Sequence, residues 1–491
     1  MKYCNPIIQQ DFSDPDAIRV GEDFYMVASS FNYMPGLPIL HSKNLVDWEI
    51  INYIYDSLDE RYDEVLHGKG SWAPAIRYND GIFYCLIPMP DDGIYETHTK
   101  DIYGKWSPLK LVIKQRGLED PCPIWTSGKC YCVVGFAKSR MGFNSSLGLY
   151  EMSNDLSECL SDTYTIIYDG HDNNPSIEGP KFNERNGYYY IMAPAGSVKG
   201  GWQVALRSKN IYGPYESKIV LMQGDTLING PHQGALIDLG DDKWAFIHFR
   251  DMRPYGRIVY LEPVEWHNDW PICGHVNDAL LAGTPVSECD YLIDKKSDYK
   301  IELDSDFKNK IGISFQTPAN PKDGWVKMTD NGLIVNCVNG IKPLHLQENT
   351  YSEKVAYLSF NASIEFELNL KNDLDEVGFF MSGKEYAYIC VVRRNGKNYI
   401  EEREGSFDTS ENVISSIPYV GDKVKFNIEA YNENTFDLMY RLGFDNNVSK
   451  TLRKALAGRW VGSRIGFYAR GNNNGGYAKA LSFKVIEKQI I

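Results

Sequence analysis

The sequence predicts an all-β protein in two parts, a five-bladed β-propeller followed by a β-sandwich of the jelly-roll kind. Three observations carry this prediction. A short phrase recurs five times before about residue 250. Beyond about residue 300 apolar and polar side chains alternate without a long helical period. The 491 residues also include 33 Tyr, 21 Phe and 10 Trp, and aromatic residues favour strands.

The repeated phrase predicts a short strand, a tight turn and a second strand that opens with aromatic residues. In its first four copies a Tyr stands eleven positions after the lead residue. Successive lead residues are 59, 47, 58 and 54 positions apart, a spacing typical of one four-stranded propeller blade. The five lead residues are Asp14, Ala73, Asp120, Glu178 and His232.

These lead residues converge if the repeat is a propeller, because the innermost strand of every blade lines the central axis. Three carboxylates and one histidine would then face a single small space. Clustered like charges raise at least one pKa, and such perturbed groups are common at functional sites. An axial cation site that merely closes the propeller is the alternative, and a cation near His232 beside a catalytic site also stays open.

The domain boundaries follow from where the phrase stops. We predict the propeller over residues 1–285, a linker over 286–300 and the sandwich over 301–491. Alternating segments such as Ala362–Leu368 fit strands with one buried face, and Arg394-Asn395-Gly396-Lys397 is a hairpin signal. A β-sandwich is the economical interpretation.

Charge and composition exclude several partners. The chain has 51 basic and 65 acidic residues, a net charge of −14, which repels nucleic acid and anionic membrane surfaces. A neutral sugar carries no such penalty, and a homo-oligomer stays open. No stretch approaches transmembrane length. The first residues lack the apolar run of a signal peptide, which predicts a cytoplasmic protein, although a secreted protein whose signal had been removed would look the same.

Two aspartates and one glutamate at convergent positions meet the needs of glycosidic bond hydrolysis. One carboxylic acid protonates the leaving oxygen, and a second carboxylate attacks the sugar or activates water. A third can tune the pKa of the acid. The longer side chain of Glu178 suits the acid, and Asp14 suits the base. Chemistry alone, however, allows any assignment of the three roles among Asp14, Asp120 and Glu178.

A family resemblance extends over nearly the whole chain. It is carried by residues 5–8, 13–16, 29–31, 35–45, 71–74, 119–121, 178–180, 256–259 and 324–325. These segments resemble motifs of glycoside hydrolase family 43, of the β-xylosidase and α-L-arabinofuranosidase type with a concanavalin-like C-terminal sandwich. The resemblance implies an inverting mechanism with Asp14 as general base, Asp120 as pKa modulator and Glu178 as general acid. The base and acid carboxyls would lie about 6.5–9.5 Å apart.

The same resemblance implies four substrate-binding residues. His232 would contact the sugar, an axial water or a calcium ion, so that no cofactor is required although Ca²⁺ stays open. Arg257 would hydrogen-bond the terminal sugar, while Phe31 and Trp72 would form the apolar wall of the pocket. No metal ligand set of recognisable spacing is present.

The predicted activity is exo-acting removal of terminal β-D-xylosyl or α-L-arabinofuranosyl residues from xylan- or arabinoxylan-derived oligosaccharides. One residue departs from the resemblance, because many β-xylosidases of that family carry an aromatic residue where this chain has Glu119. This change leaves the identity of the terminal sugar open. The alternatives are an endo-arabinanase-like hydrolase and a sugar-binding propeller without catalysis. A fructan-active hydrolase is disfavoured because its acidic motifs differ.

Overall fold

The computed structural model describes residues 1–472 and 475–488. Its amino-terminal part contains five sheets, each with four antiparallel strands that follow one another in chain order. After β1 (Lys2–Cys4), the first three sheets contain β2 (Asp16–Val20), β3 (Asp23–Val27), β4 (Gly36–Ser42), β5 (Trp48–Tyr55); β6 (Ala75–Asn79), β7 (Ile82–Met89), β8 (Gly93–Thr99), β9 (Lys110–Ile113); β10 (Leu118–Thr126), β11 (Lys129–Phe136), β12 (Ser146–Met152) and β13 (Thr165–Asp169). A 3₁₀ turn at Glu60–Asp63 precedes β6, and a single-turn helix α1 (Lys138–Met141) connects β11 to β12.

The next two sheets complete this part of the molecule. Their strands and those that follow are β14 (Lys181–Arg185), β15 (Tyr188–Ala195), β16 (Trp202–Ser208), β17 (Glu216–Leu221); β18 (Gly234–Gly240), β19 (Lys243–Asp251), β20 (Arg257–His267), β21 (Trp270–Cys273), β22 (His275–Asn277), β23 (Ala282–Thr284) and β24 (Glu288–Asp290). A 3₁₀ turn at Arg253–Tyr255 precedes β20. The fourth sheet has six strands because β17 also pairs with β23, which pairs with β22. β24 pairs with β1 and lies within the predicted linker 286–300.

The first strands of the five sheets form a closed ring, in which β2 contacts both β6 and β18 while β10 contacts β6 and β14. The hairpin turns between the first two strands explain the repeated phrase. In four of the five blades both turn residues have positive φ, as type I′ hairpin turns require. These pairs are Asp80-Gly81, Ser127-Gly128, Asn186-Gly187 and Asp241-Asp242. The prediction of a five-bladed propeller is confirmed.

The carboxyl-terminal part is a sandwich of two sheets. Its strands are β25 (Val326–Thr329), β26 (Gly332–Asn336), β27 (Val338–Asn339), β28 (Thr350–Lys354), β29 (Phe360–Asn369), β30 (Glu376–Ser382), β31 (Glu385–Arg394), β32 (Lys397–Ser406), β33 (Asn412–Tyr419), β34 (Lys423–Asn434), β35 (Asp437–Phe444), β36 (Asn447–Val448), β37 (Arg453–Lys454), β38 (Arg464–Gly471) and β39 (Tyr477–Glu487). One sheet has the order β25-β26-β39-β29-β34-β35-β36 with β37 on β35, and the other β27-β38-β30-β31-β32-β33 with β28 on β38. A 3₁₀ turn at Leu344–Leu346 precedes β28.

Buried and more exposed side chains alternate along the strands and build the core between these sheets. Alternate residues of β29 are buried, among them Ile364 and Phe366, and they pack with Phe379 and Phe467 of the facing sheet. Phe366 and Phe467 lie with ring centroids 6.1 Å apart in an edge-to-face arrangement. The predicted β-sandwich is therefore confirmed, with both sheets contributing aromatic side chains to one core.

The two domains contact each other directly. The segment between β24 and β25 bridges them, since Thr317 pairs with Met34 of the propeller and Gln316 pairs with Ser352 of the sandwich. A second contact joins the loop before β38 to the turn before β20, where the N–H of Ser463 donates to the carbonyl of Pro254 at 2.7 Å. This second contact lies beside the axial pocket described below.

None of the helices in the described residues has the length and apolar character that a membrane crossing needs.

Candidate active site

A pocket of about 270 Å³ brings together most of the residues that the sequence predicts as functional. The residues that line it are Asp14, Phe31, Trp72, Ala73, Glu119, Asp120, Phe136, Ala137, Lys138, Ser139, Asn144, Glu178, Gln233, Arg257 and Trp460. His232 lies behind Glu178 rather than on the pocket surface.

Asp14 lies two residues before β2, the innermost strand of the first blade, in a left-handed backbone conformation with φ 55°. Its Oδ2 accepts hydrogen bonds from the hydroxyls of Ser29 at 2.6 Å and Ser13 at 2.9 Å. Its Oδ1 accepts one from Nη1 of Arg257 at 3.0 Å. Three donors, one of them cationic, therefore hold this carboxyl in a fixed orientation beside the pocket, as a general base must be held.

Asp120 is the residue of the third blade that matches Asp14 in the repeat, and it lies within β10, also with a positive φ, 53°. The pairing of β10 with β11 shifts register here, and such irregularities re-aim side chains beside active sites. The N–H of Gly179 donates to Oδ2 at 2.8 Å, and Nε2 of Gln233 lies 3.4 Å from Oδ1. Burial raises the pKa of Asp120 to about 6, with Asp14 adding to the rise and Lys181 opposing it.

Glu178 precedes the innermost strand of the fourth blade, and 38% of its side-chain surface is open to the pocket. Desolvation by the pocket raises the pKa of Glu178 to about 8. The carboxylates of Asp120 and Asp14 raise it further, and the guanidinium of Arg257 lowers it. Glu178 therefore carries a proton near neutral pH, as a general acid must.

His232 packs against Glu178 from behind. Its Nε2 lies 3.5 Å from Oε1 of Glu178, and its ring contacts Phe249 with centroids 5.0 Å apart. Burial lowers the pKa of His232 to about 3, and the nearby charge of Arg257 lowers it further. The imidazole is therefore neutral and supports the acid by contact rather than by charge.

The surroundings of His232 do not fit a calcium site built from side chains. Its Nδ1 is buried without a hydrogen-bond partner. This unpaired atom is a nitrogen, whereas Ca²⁺ prefers six to eight oxygen ligands. Over the described residues, no three His, Cys, Asp or Glu side chains are grouped so as to hold a metal ion. No chemical step at this site is assigned to a cation.

Arg257 begins β20 and reaches the pocket floor. Its Nη1 donates to Ser13 at 2.7 Å as well as to Asp14, and its guanidinium lies 4.9 Å from the ring centroid of Phe249. These contacts place a fixed positive charge beside the carboxylate of Asp14. Arg257 is therefore a partner of Asp14, a role beyond the sugar contact implied by the resemblance.

Aromatic rings form one wall of the pocket. Phe31, with φ 53°, is buried, and its ring centroid lies 6.4 Å from that of Trp72. Trp72 is anchored by its indole N–H, which donates to the carbonyl of Gly68 at 3.1 Å. Trp460 of the sandwich extends this wall, with its ring 6.3 Å from Trp72 and 48% of its surface exposed.

Comparison with known families identifies both domains. Residues 3–271 match the family described as "Glycosyl hydrolases family 43". The chain belongs to glycosyl hydrolase family 43. Residues 304–485 match "Beta xylosidase C-terminal Concanavalin A-like domain", in agreement with the sandwich. The chain is therefore a glycosidase, and the family predicted from the sequence motifs is confirmed.

Relatives within family 43 differ in the sugar that their names specify. A protein of Xylanibacter ruminicola, provisionally named a β-xylosidase, is 38% identical over 395 residues, which span 80% of this chain and 73% of the relative. "Non-reducing end alpha-L-arabinofuranosidase BoGH43B" of Bacteroides ovatus is 25% identical over 521 residues, spanning 96% and 92%. The crystal structure of "xylan beta-1,4-xylosidase from Bacillus Halodurans C-125" shares the fold, with a TM-score of 0.86, 18% identity and coverage of 99% and 100%.

Sequence reasoning placed all seven predicted site residues in or against this family 43 pocket, but it missed others. Trp460 belongs to the second domain, and no local pattern marks it as a pocket residue. Gln233 follows the lead residue His232 directly, so the repeat could have identified it. The sequence marks Glu119 only as a departure from the family resemblance, and the structure places it on the pocket surface.

Proposed function

We propose that the chain is an exo-acting, inverting hydrolase that removes terminal β-D-xylosyl or α-L-arabinofuranosyl residues from xylan- or arabinoxylan-derived oligosaccharides. The observation that carries the proposal is the contrast between two carboxyls of one pocket. Glu178 has a pKa raised to about 8, whereas Asp14 accepts three hydrogen bonds, one of them from Arg257. Two carboxyls in such different surroundings can take the separate roles of acid and base.

In this mechanism Glu178 gives its proton to the glycosidic oxygen as the bond to the anomeric carbon breaks. Asp14 takes a proton from a water molecule, whose oxygen attacks the anomeric carbon from the opposite face. Asp120 does not react, but its negative charge helps to keep Glu178 protonated. After the reaction Glu178 is ionised and Asp14 is protonated, and exchange with solvent restores both groups.

Exo action is supported by the shape of the site. The pocket holds about 270 Å³, and Trp460 from the sandwich stands at its rim. An endo-acting enzyme needs a groove through which the chain can pass on both sides of the cleaved bond. The names of the relatives, which include both a β-xylosidase and an arabinofuranosidase, support a pentosyl unit as the sugar in the pocket.

The test measures release of nitrophenol from the aryl β-D-xylopyranoside and the aryl α-L-arabinofuranoside. We expect turnover of at least one substrate, and a loss of about 100-fold or more in kcat/KM for Glu178→Ala. Glu184→Gln is the matched control, since Glu184 lies on β14 but is exposed and outside the pocket. NMR of the first-formed anomer tests inversion. A parent protein inactive on both substrates, or a Glu178→Ala variant as active as the parent, would contradict the proposal.

A further inference from the structure

Glu119 is a pocket carboxyl to which the mechanism above gives no role. It precedes Asp120 on β10, at the position where the pairing with β11 shifts register. The residue is 9% exposed, and what remains accessible belongs to the pocket lining. Within residues 1–472 and 475–488, no hydrogen bond or ion pair engages its carboxyl.

The carboxyl oxygens reach the pocket, and an unpaired carboxyl in so enclosed a place is costly unless a ligand or water pairs with it. Three neighbouring carboxyls make the cost larger. Burial, followed by the charges of Asp120, Glu178 and Asp14, raises the pKa of Glu119 well above its usual range. A neutral carboxyl can both donate and accept a hydrogen bond, which suits a hydroxyl group.

The rest of the pocket shows what this carboxyl could bind. Phe31 and Trp72 offer ring surface for the apolar face of a sugar. The carboxyls of Asp14 and Asp120 already accept hydrogen bonds from protein donors. Glu119 and Glu178 are the pocket carboxyls whose hydrogen-bonding capacity is left for a ligand, and the proposed mechanism uses Glu178 at the leaving oxygen.

We infer that Glu119 is a specificity-determining residue, whose carboxyl hydrogen-bonds one ring hydroxyl of the terminal sugar and so selects which pentose the pocket accepts. This inference rests on the proposed function, because it assumes a terminal pentosyl unit in the pocket. A site built to bond a hydroxyl rejects an analogue that lacks it, since its own polar group is then left unpaired. A purely structural Glu119 would show no such dependence on one hydroxyl.

The experiment compares the parent with Glu119→Ala and Glu119→Gln on the aryl pentoside that the parent cleaves and on its monodeoxy analogues. For the parent we expect one analogue to lose about 100-fold in kcat/KM. Glu119→Ala should lose about 10-fold or more on the full substrate, with no further loss on that analogue. Glu119→Gln should fall between them, because an amide also donates and accepts. Glu96→Gln, another buried glutamate of the propeller outside this pocket, is the control.

The outcomes separate the two proposals. Suppose that every deoxy analogue lowers kcat/KM by the same factor in Glu119→Ala as in the parent. Glu119 then does not bond the sugar and this inference is overturned, while the proposed glycosidase function is unaffected. If Glu119→Ala does not fold, judged by circular dichroism, the near-isosteric Glu119→Gln decides by the same comparison. A parent inactive on both pentosides overturns the proposed function and this inference with it.

Discussion

The carboxyl of Asp11 accepts a hydrogen bond from the backbone N–H of Gly462 at 2.8 Å, across the contact between propeller and sandwich. Its other oxygen accepts a hydrogen bond from the backbone N–H of Arg257, also at 2.8 Å. One buried side chain therefore holds both the arginine that pairs with Asp14 and the loop that carries Trp460. The contact is close, since a Cβ on Gly462 would lie 2.7 Å from the nitrogen of Gly256.

Loss of this carboxyl should impair catalysis from outside the pocket. Asp11→Ala leaves two buried N–H groups unpaired, each at a cost of about 1–3 kcal/mol. We expect a lower melting temperature and a fall of about 10-fold in kcat/KM. Asp11→Asn should lose less, because its amide oxygen still accepts one bond. Asp242→Asn, on an exposed turn, is the control, and equal activity of Asp11→Ala and parent would refute the coupling.

Trp460 tests whether the sandwich takes part in binding. Because its ring is half exposed and extends the wall of Trp72, Trp460→Ala should raise KM by about 3- to 10-fold. The kcat should change less, since its ring contacts Trp72 and Arg257 rather than Asp14 or Glu178, the two carboxyls proposed to react. Trp125→Ala, which removes a half-buried tryptophan of the third blade outside the pocket, should leave KM unchanged. An unchanged KM in Trp460→Ala would show that the sandwich takes no part in substrate binding.

The extent to which sequence predicts this molecule depends on how local each signal is. The five-bladed architecture was predictable because each blade repeats one hairpin, with turn pairs such as Asn186-Gly187 at matching places. Asp14, Asp120 and Glu178 followed from that register, since equivalent residues of the inner strands meet at the axis. Contacts between distant segments have no such signal.

Asp11 and Trp460 illustrate the part that was not predictable. Asp11 reaches its partner Gly462 only after two domains have docked, and neither residue belongs to a repeat. The position of Trp460 depends on the same docking. Glu119 was visible in the sequence, but its lack of a partner depends on how the neighbouring blades pack. Pairing across 451 positions is a property of the folded surface, not of any local pattern.

The charge of Asp120 should help to set the pH at which kcat/KM falls on the alkaline side of its profile, called the alkaline limb here. Glu178 must be protonated to act, so activity falls as pH rises through its pKa of about 8. Asp120 raises that pKa, and Asp120→Asn removes its charge. We therefore expect the alkaline limb of the kcat/KM profile to move to lower pH, with a lower maximum rate. An unmoved or higher limb would show that Asp120 does not tune Glu178.

Arg257 should move the same limb in the opposite direction. Its guanidinium lowers the pKa of Glu178, so Arg257→Met should shift the alkaline limb to higher pH. The same variant breaks the buried pair with Asp14, whose side chain is 9% exposed, and kcat/KM should fall by about 100-fold. Arg257→Lys keeps the charge but not the planar fork, so it should lose activity with little shift of the limb. Shifts of the same sign in Arg257→Met and Asp120→Asn would rule out electrostatic control of the acid by these two residues.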